Sequence, residues 1–110
     1  MLVSKEIAMG KFIEVAKKSE IADQSAKCVE IEGKRIALFN LGGMFYAIDD
    51  TCAHEGGPLS EGDIEGEEIE CPWHGARYNI KSGDVTAPPA PTGVTKYNVR
   101  LTGDAIEIEL

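Results

Sequence analysis

Two short motifs near the middle of the chain place both of its histidines within three residues of a cysteine. They are Cys52-Ala53-His54 and Cys71-Pro72-Trp73-His74, separated by sixteen residues. Two thiolates and two imidazoles brought together imply a metal site. Both ligands of one pair can reach that site only if the loop curls tightly, and nearby glycines and prolines supply the curl. These residues are Gly56, Gly57, Pro58, Pro72 and Gly75.

The segment before the motifs has the pattern of strands and tight turns, with little helical periodicity. A first strand is predicted from Phe12 to Ala16, followed by a polar turn region from Lys17 to Ser25. Within that region Ser19 is a candidate cap for one helical turn. Alternation then resumes at Val29 and Ile31.

Two hairpins complete the predicted strands. A largely buried run from Arg35 to Leu41 turns at Gly42-Gly43 into a strand from Met44 to Ile48. Near the end of the chain, Tyr97, Val99 and Leu101 should share one face, and Ile106, Ile108 and Leu110 should answer them after a turn at Gly103-Asp104.

The two ends of the chain therefore predict an all-β fold with an antiparallel β-sandwich base. We expect one domain over residues 1–110, with the base formed by residues 11–50 and 92–110. Residues 51–91 are rich in glycine and proline and form a predicted loop-rich metal-binding subdomain. Small β domains often hold their ligands in such loops, above a rigid scaffold.

Charge and cysteine content restrict the partners and the location. The formal net charge of -8 argues against nucleic acid as a partner. It fits steering onto a basic docking patch, although solubility alone would also account for it. Three cysteines do not make the even-numbered disulfide framework of a small secreted domain. Because we find neither an apolar run long enough to cross a membrane nor a signal-peptide pattern, we expect a cytoplasmic protein.

The paired motifs resemble those of the Rieske iron–sulfur proteins. The likeness includes Gly56-Gly57-Pro58-Leu59-Ser60-Glu61-Gly62, Glu70-Cys71-Pro72-Trp73-His74-Gly75, Ser82-Gly83 and Ala87-Pro88-Pro89-Ala90-Pro91. The resemblance implies the Rieske fold and one [2Fe–2S] cluster per chain. It also implies that Cys52 and Cys71 bind one iron, whereas His54 and His74 bind the other, exposed iron. The proline segment resembles the loop that covers the cluster in this family; otherwise it is a stiff connection.

A structural zinc module is the main alternative to a cluster, since two cysteines and two histidines also suit tetrahedral Zn²⁺. Zinc motifs usually place like ligands next to each other. Here each pair mixes one cysteine and one histidine, which is the arrangement that a cluster with two chemically different irons requires. The mixed order favours the cluster.

The ligand set also predicts the redox behaviour. Four thiolates would leave an oxidised cluster negatively charged, whereas two thiolates and two neutral imidazoles leave it neutral and easier to reduce. High-potential family members carry a disulfide between the loops and a serine hydroxyl near a sulfide. The matching positions here are Gly57 and Trp73 for the disulfide and Ala76 for the serine, and a family tyrosine is retained as Tyr78. We therefore expect a low potential of about -150 mV.

The resemblance implies an electron carrier that is a monomer when isolated and has no catalytic site of its own. A Rieske oxygenase needs a second iron site with two further histidines, which this sequence lacks. We expect a flavin-dependent reductase as donor and an oxygenase or other redox enzyme as acceptor, with no membrane partner. The alternative carrier role is the small subunit of a nitrite reductase-like complex.

Two roles are possible for each of three other side chains. Trp73 is either hydrophobic cover or a docking residue, and Arg77 is more often a surface salt bridge than a partner contact. Cys28, far from the motifs in sequence, is expected to be a buried, inert thiol, and a redox role is the alternative.

Overall fold

The computed structural model describes residues 11–52, 56–73, 75–88 and 92–110. Within these ranges the chain forms β-strands joined by turns, with two short 3₁₀ turns at Lys18–Glu20 and Leu59–Glu61. The strands are β1 Phe12–Lys17, β2 Ser25–Ile31, β3 Lys34–Leu41, β4 Met44–Asp49, β5 Asp63–Glu65, β6 Glu68–Glu70, β7 Arg77–Asn79, β8 Val85–Ala87, β9 Lys96–Tyr97, β10 Val99–Thr102 and β11 Ala105–Glu109. The expected all-β fold is confirmed.

The strands form three antiparallel sheets. Their orders are β1-β11-β10, β2-β3-β4-β9 and β5-β6-β7-β8. The first two sheets come from the two ends of the chain, and the third lies within residues 63–87. The segment that the sequence predicted only as loop-rich therefore contains a small sheet. Its strands are only three residues long, and strands that short give no measurable alternation.

Strand β3 is buried on both faces, which explains its continuous apolar run. Ile36 and Leu38 pack into a core shared with β11, while Ala37 and Phe39 pack into a second core shared with the cysteine motifs. Strand β4 divides its side chains between the same two cores. The sheet that contains β3 and β4 is thus the floor on which the motif segment rests.

The predicted hairpins are present, but the structure corrects two details, the role of Ser19 and the place of Tyr97. The turn at Gly42-Gly43 has positive φ at both residues, as a tight β3–β4 connection requires. Ser19 lies inside the 3₁₀ turn and does not cap it; the Lys17 backbone N–H instead donates to the Glu20 carboxylate at 3.2 Å. Tyr97 belongs to β9 and pairs with Ala47 in the β2-β3-β4-β9 sheet, which we call the central sheet. The chain therefore changes sheets before the final hairpin.

Leu101 is the exception in that final hairpin, because 43% of its surface is exposed. The pairing of β10 with β11 is as predicted, and Ile106 and Ile108 are fully buried. The face of β10 expected to be apolar therefore contributes less to the core than its partner strand does. No helix in the described ranges is long and apolar enough to cross a membrane.

Candidate metal centre

The two cysteine motifs lie in loops that close with matching backbone hydrogen bonds. We name the segment from Cys52 to Gly57 the first cysteine loop and the segment from Cys71 to Ala76 the second cysteine loop. In each, the cysteine N–H donates to the carbonyl of the last loop residue, at 2.9 Å for Cys52 and 2.7 Å for Cys71. Each cysteine carbonyl accepts from the residue before the last, at 2.9 Å from Gly56 and 3.1 Å from Gly75.

These two glycines are required by the backbone. Gly56 has a φ of 80° and Gly75 a φ of 81°, a region that residues with a side chain rarely adopt. They occupy the same place in their loops, four positions after the cysteine. Each loop can therefore return on itself and direct its cysteine inward.

The pairing also continues outside each loop. Thr51 forms an antiparallel bridge with Pro58, and Glu70 pairs with Arg77. We call these two pairs the first neck and the second neck. Both necks join the residue before the cysteine to the residue after the loop, so the loops have equal length and the same closure.

The first loop meets the second at Gly57. A Cβ atom placed on Gly57 would lie 2.8 Å from the Cys71 Sγ and 3.0 Å from ring carbons of Trp73. Cys52 and Cys71 are each 3% exposed and belong to the same core cluster. The Tyr78 hydroxyl lies 3.1 Å from the Cys52 Sγ, within hydrogen-bonding distance. The structure thus brings the two predicted sulfur ligands into one buried region.

The other two predicted ligands, His54 and His74, lie outside the described residues, as do residues 89–91 of the proline segment. The described part nevertheless fits a metal cluster on three counts. The Cys52 and Cys71 thiols are buried in the same core cluster. Gly57, which faces the Cys71 sulfur, has no side chain. Both cysteines lie in loops that close with matching hydrogen bonds. The complete ligand set of Cys52, His54, Cys71 and His74 stays a prediction.

The sequence analysis missed Asp50, a fully buried carboxylate at the entry to the first loop. Its Oδ1 accepts the Ser60 backbone N–H at 2.7 Å, and its Oδ2 lies 3.5 Å from an Arg35 guanidinium nitrogen. The available signal was the pair of aspartates at the end of the largely apolar strand β4, Asp49 as its last residue and Asp50 just after it, directly before the first cysteine motif.

The second neck is held by charged side chains. Arg77 contacts Glu68 at 3.0 Å and Glu70 at 3.2 Å, and it also pairs with Glu65. Hydrogen bonds from Arg77 to Glu65 and Glu68 raise the pKa of its guanidinium, which remains charged. The salt-bridge reading of Arg77 is therefore the one that the structure supports.

Trp73 and Cys28 depart from simple burial. Trp73 is 54% exposed although its ring packs against Gly57, so it both covers the loops and faces solvent. Cys28 was expected to be buried, but it is only partly so, because β2 is an edge strand of its sheet. Burial and the Asp50 carboxylate raise the pKa of the Cys28 thiol, which favours its protonated form.

Comparison with known proteins identifies this arrangement. Residues 11–98 match the family model described as Rieske [2Fe-2S] domain. The chain is 34% identical over 100 residues to the ferredoxin component of the naphthalene 1,2-dioxygenase system of Pseudomonas aeruginosa, covering 91% of this chain and 96% of that protein.

Solved structures agree with the sequence matches. The ferredoxin of carbazole 1,9a-dioxygenase from Nocardioides aromaticivorans IC177 superposes with a TM-score of 0.86 at 28% identity, covering 90% of this chain and 97% of that one. A chain from a complex of reduced oxygenase and oxidised ferredoxin in carbazole 1,9a-dioxygenase superposes with a TM-score of 0.84 at 28% identity, covering 89% and 92%.

Proposed function

From the premise that this chain belongs to the Rieske [2Fe–2S] domain family, we propose that it is a one-electron carrier serving a ring-hydroxylating oxygenase. The observation that carries the proposal is the pair of matching cysteine loops, which meet in one buried region. Relatives that are ferredoxin components of dioxygenase systems match over nearly their whole length, which supports a carrier role. The family has a [2Fe–2S] cluster as its cofactor, one per chain, so the zinc alternative is set aside.

We assign the cluster to Cys52 and Cys71 on one iron and to His54 and His74 on the other. When bound, the cluster accepts and releases one electron by changing the oxidation state of one iron. The chain's own residues hold it: backbone hydrogen bonds fix both cysteine loops, and the Tyr78 hydroxyl can donate to the Cys52 sulfur. Such a donor stabilises the charge on the sulfur and so tunes the potential.

The protein is proposed to lack a reaction of its own and to depend on two partners. A flavin-dependent reductase would supply the electron, and the oxygenase component would receive it. A similar ferredoxin is described in a complex with its oxygenase. The division into a base of residues 11–50 and 92–110 and a cluster-binding subdomain of residues 51–91 is part of this proposal. The cytoplasmic location and the monomeric state stay predictions.

Trp73 is the proposed contact with the acceptor. It lies in the second cysteine loop beside His74, and more than half of its surface faces solvent. Aromatic side chains with this exposure are enriched at protein interfaces. Trp73 would therefore present an exposed aromatic ring to the acceptor directly next in sequence to a proposed histidine ligand.

Electron paramagnetic resonance of the reduced protein tests the ligand set. A cluster with two histidine ligands gives a lower average g value than a four-cysteine cluster, because the two irons have different ligands. Reconstitution with a purified reductase and an oxygenase then tests the role, since product formation should require this chain. A four-cysteine type of spectrum, or an oxygenase that turns over equally well without the chain, would contradict the proposal.

A further inference from the structure

Asp50 is unusual for its burial. Among the described residues, Asn40 and Asp50 are the buried polar side chains, and Asp50 alone of the two carries a charge. Its side chain is 1% exposed. Burying a carboxylate costs free energy unless it is hydrogen-bonded and paired, so such a residue needs an explanation.

Its hydrogen bonds fasten both sides of the first neck. The Oδ1 accepts from the Ser60 N–H at 2.7 Å, and the Asp50 carbonyl accepts from the Leu59 N–H at 2.6 Å. Its own N–H donates to the Arg35 carbonyl at 3.0 Å. Asp50 therefore joins the strand that enters the first cysteine loop to the turn that leaves it, and to the floor strand β3.

Its charge is only partly balanced. Arg35 is its cationic partner, but the guanidinium is 50% exposed, lies 3.5 Å away and also contacts Glu30 at 3.3 Å. Cys28 also interacts with the Asp50 carboxylate, but it favours its neutral thiol form and supplies no balancing charge. Water screens an exposed cation more strongly than a buried anion. The exposed Arg35 guanidinium therefore neutralises the buried Asp50 carboxylate only in part.

We propose that Asp50 is a positioning residue that fixes the first cysteine loop and that its buried charge lowers the reduction potential of the cluster. The inference rests on the proposed function, because it requires a cluster held between the two cysteine loops. Leu59, which Asp50 holds, packs in the same core as Cys52 and Cys71. A cluster held in this core would gain one negative charge on reduction, and the buried carboxylate two residues before Cys52 would oppose that gain.

The test compares two variants of the cluster-loaded protein that change the net charge equally. Asp50→Asn removes the buried charge while keeping an oxygen that can accept from Ser60. Glu30→Gln removes an exposed charge, since the Glu30 side chain is 68% exposed. At a fixed potential, we expect Asp50→Asn to raise the ratio of reduced to oxidised protein about tenfold, which is about 59 mV for a one-electron couple. Glu30→Gln should change this ratio less than about twofold.

Arg35→Gln gives a prediction of opposite sign. Removing the partner cation leaves the Asp50 charge less balanced, so the reduced fraction should fall relative to the wild type. This variant keeps the proposal testable if Asp50→Asn fails to retain its cluster. Shifts of the same sign in Arg35→Gln and Asp50→Asn would overturn the charge effect. Equal shifts in Asp50→Asn and Glu30→Gln would overturn it as well.

The positioning part has a readout other than the reduction potential. In the cluster-loaded protein, Asp50→Ala should increase hydrogen exchange at the Ser60 amide, whereas Asp50→Asn should keep most of the protection. Unchanged exchange in Asp50→Ala would refute the positioning role. A wild-type spectrum without histidine ligation would instead refute the proposed function and leave this exchange result standing, so the two failures are distinguishable.

Discussion

The two cysteine loops have the same closure but different supports. Both place a positive-φ glycine four positions after the cysteine, and both close with the same pair of backbone hydrogen bonds. The second neck is part of a regular hairpin between β6 and β7, and Arg77 ties it to three glutamates near the surface. The first neck is an isolated bridge, held from behind by the buried Asp50.

The difference shows that loop geometry and loop support are separate requirements. A ladder of strand hydrogen bonds positions the second loop, and none of its described residues is a buried charged one. The first loop leaves the central sheet where its strand ends, so side-chain and turn contacts must replace the missing ladder. The buried Asp50 carboxylate makes these contacts, and it also places a charge at the entry to the first loop.

Removal of either proposed sulfur ligand should have the largest effect. We expect Cys52→Ser and Cys71→Ser each to abolish cluster binding, because the proposed ligand set places both thiolates on one iron. Cys28→Ser is the matched control and should keep its cluster, since this thiol lies on an edge strand and stays protonated. Iron content and visible absorbance per chain measure the outcome. A cluster retained in Cys71→Ser but lost in Cys52→Ser would break the equivalence of the loops.

The last residue differs between the two loops, Gly57 in the first and Ala76 in the second, and Gly57→Ala tests this difference. The added methyl group would meet the Cys71 Sγ at 2.8 Å, so the loops must separate. Overpacking of this kind costs about 1–3 kcal/mol, and we expect both lower iron content and a lower unfolding midpoint. The matched change in the second loop is Ala76→Gly, which should cost about 1 kcal/mol through a lost buried methyl group. A loss of bound iron in Ala76→Gly as large as that in Gly57→Ala would contradict the asymmetry.

Much of this contrast was predictable, and the rest was not. The cysteine motifs, their glycines and the hairpin at Gly42-Gly43 follow from residue types with specific backbone requirements. The sheet of β5 to β8 was missed because each of its strands is only three residues long, which is too short to show an alternating pattern. Asp50 was missed because burial of a carboxylate is decided by the packing of distant strands.

Ala76→Ser is expected to shift the potential upward. We predict about -150 mV for the wild type, since Gly57, Trp73 and Ala76 cannot supply the disulfide and serine of high-potential relatives. A hydroxyl at the fully buried position 76 would donate toward the cluster and favour its reduced, more negative state. A rise of about 59 mV corresponds to a tenfold change, and voltammetry measures it. A wild-type potential above about +100 mV would contradict the prediction of a low potential.

Arg77→Gln should have a smaller effect, confined to the second neck. Its ion pairs are near the surface, where each contributes little. We expect a lower unfolding midpoint than in the wild type, but a smaller decrease than in Gly57→Ala. High salt should narrow the difference between Arg77→Gln and the wild type, because salt screens the wild-type pairs. A difference that does not change with salt would show that Arg77 acts through packing instead.

The smallest expected effect is a loss of stability at alkaline pH, caused by ionisation of Tyr97 near the entry to the first loop. Burial and a 2.6 Å hydrogen bond to Asp49, the residue before Asp50, raise the pKa of Tyr97 from 10.0 to about 12. The folded state therefore favours the neutral phenol, so its stabilising contribution is complete below pH 10 and is lost as the pH rises to about 12. Solvent screening of this partly exposed group limits the loss to about 1 kcal/mol. Tyr97→Phe does not titrate there, so the difference in unfolding free energy between wild type and variant should narrow over this interval. A constant difference would show that the bond to Asp49 does not couple to folding.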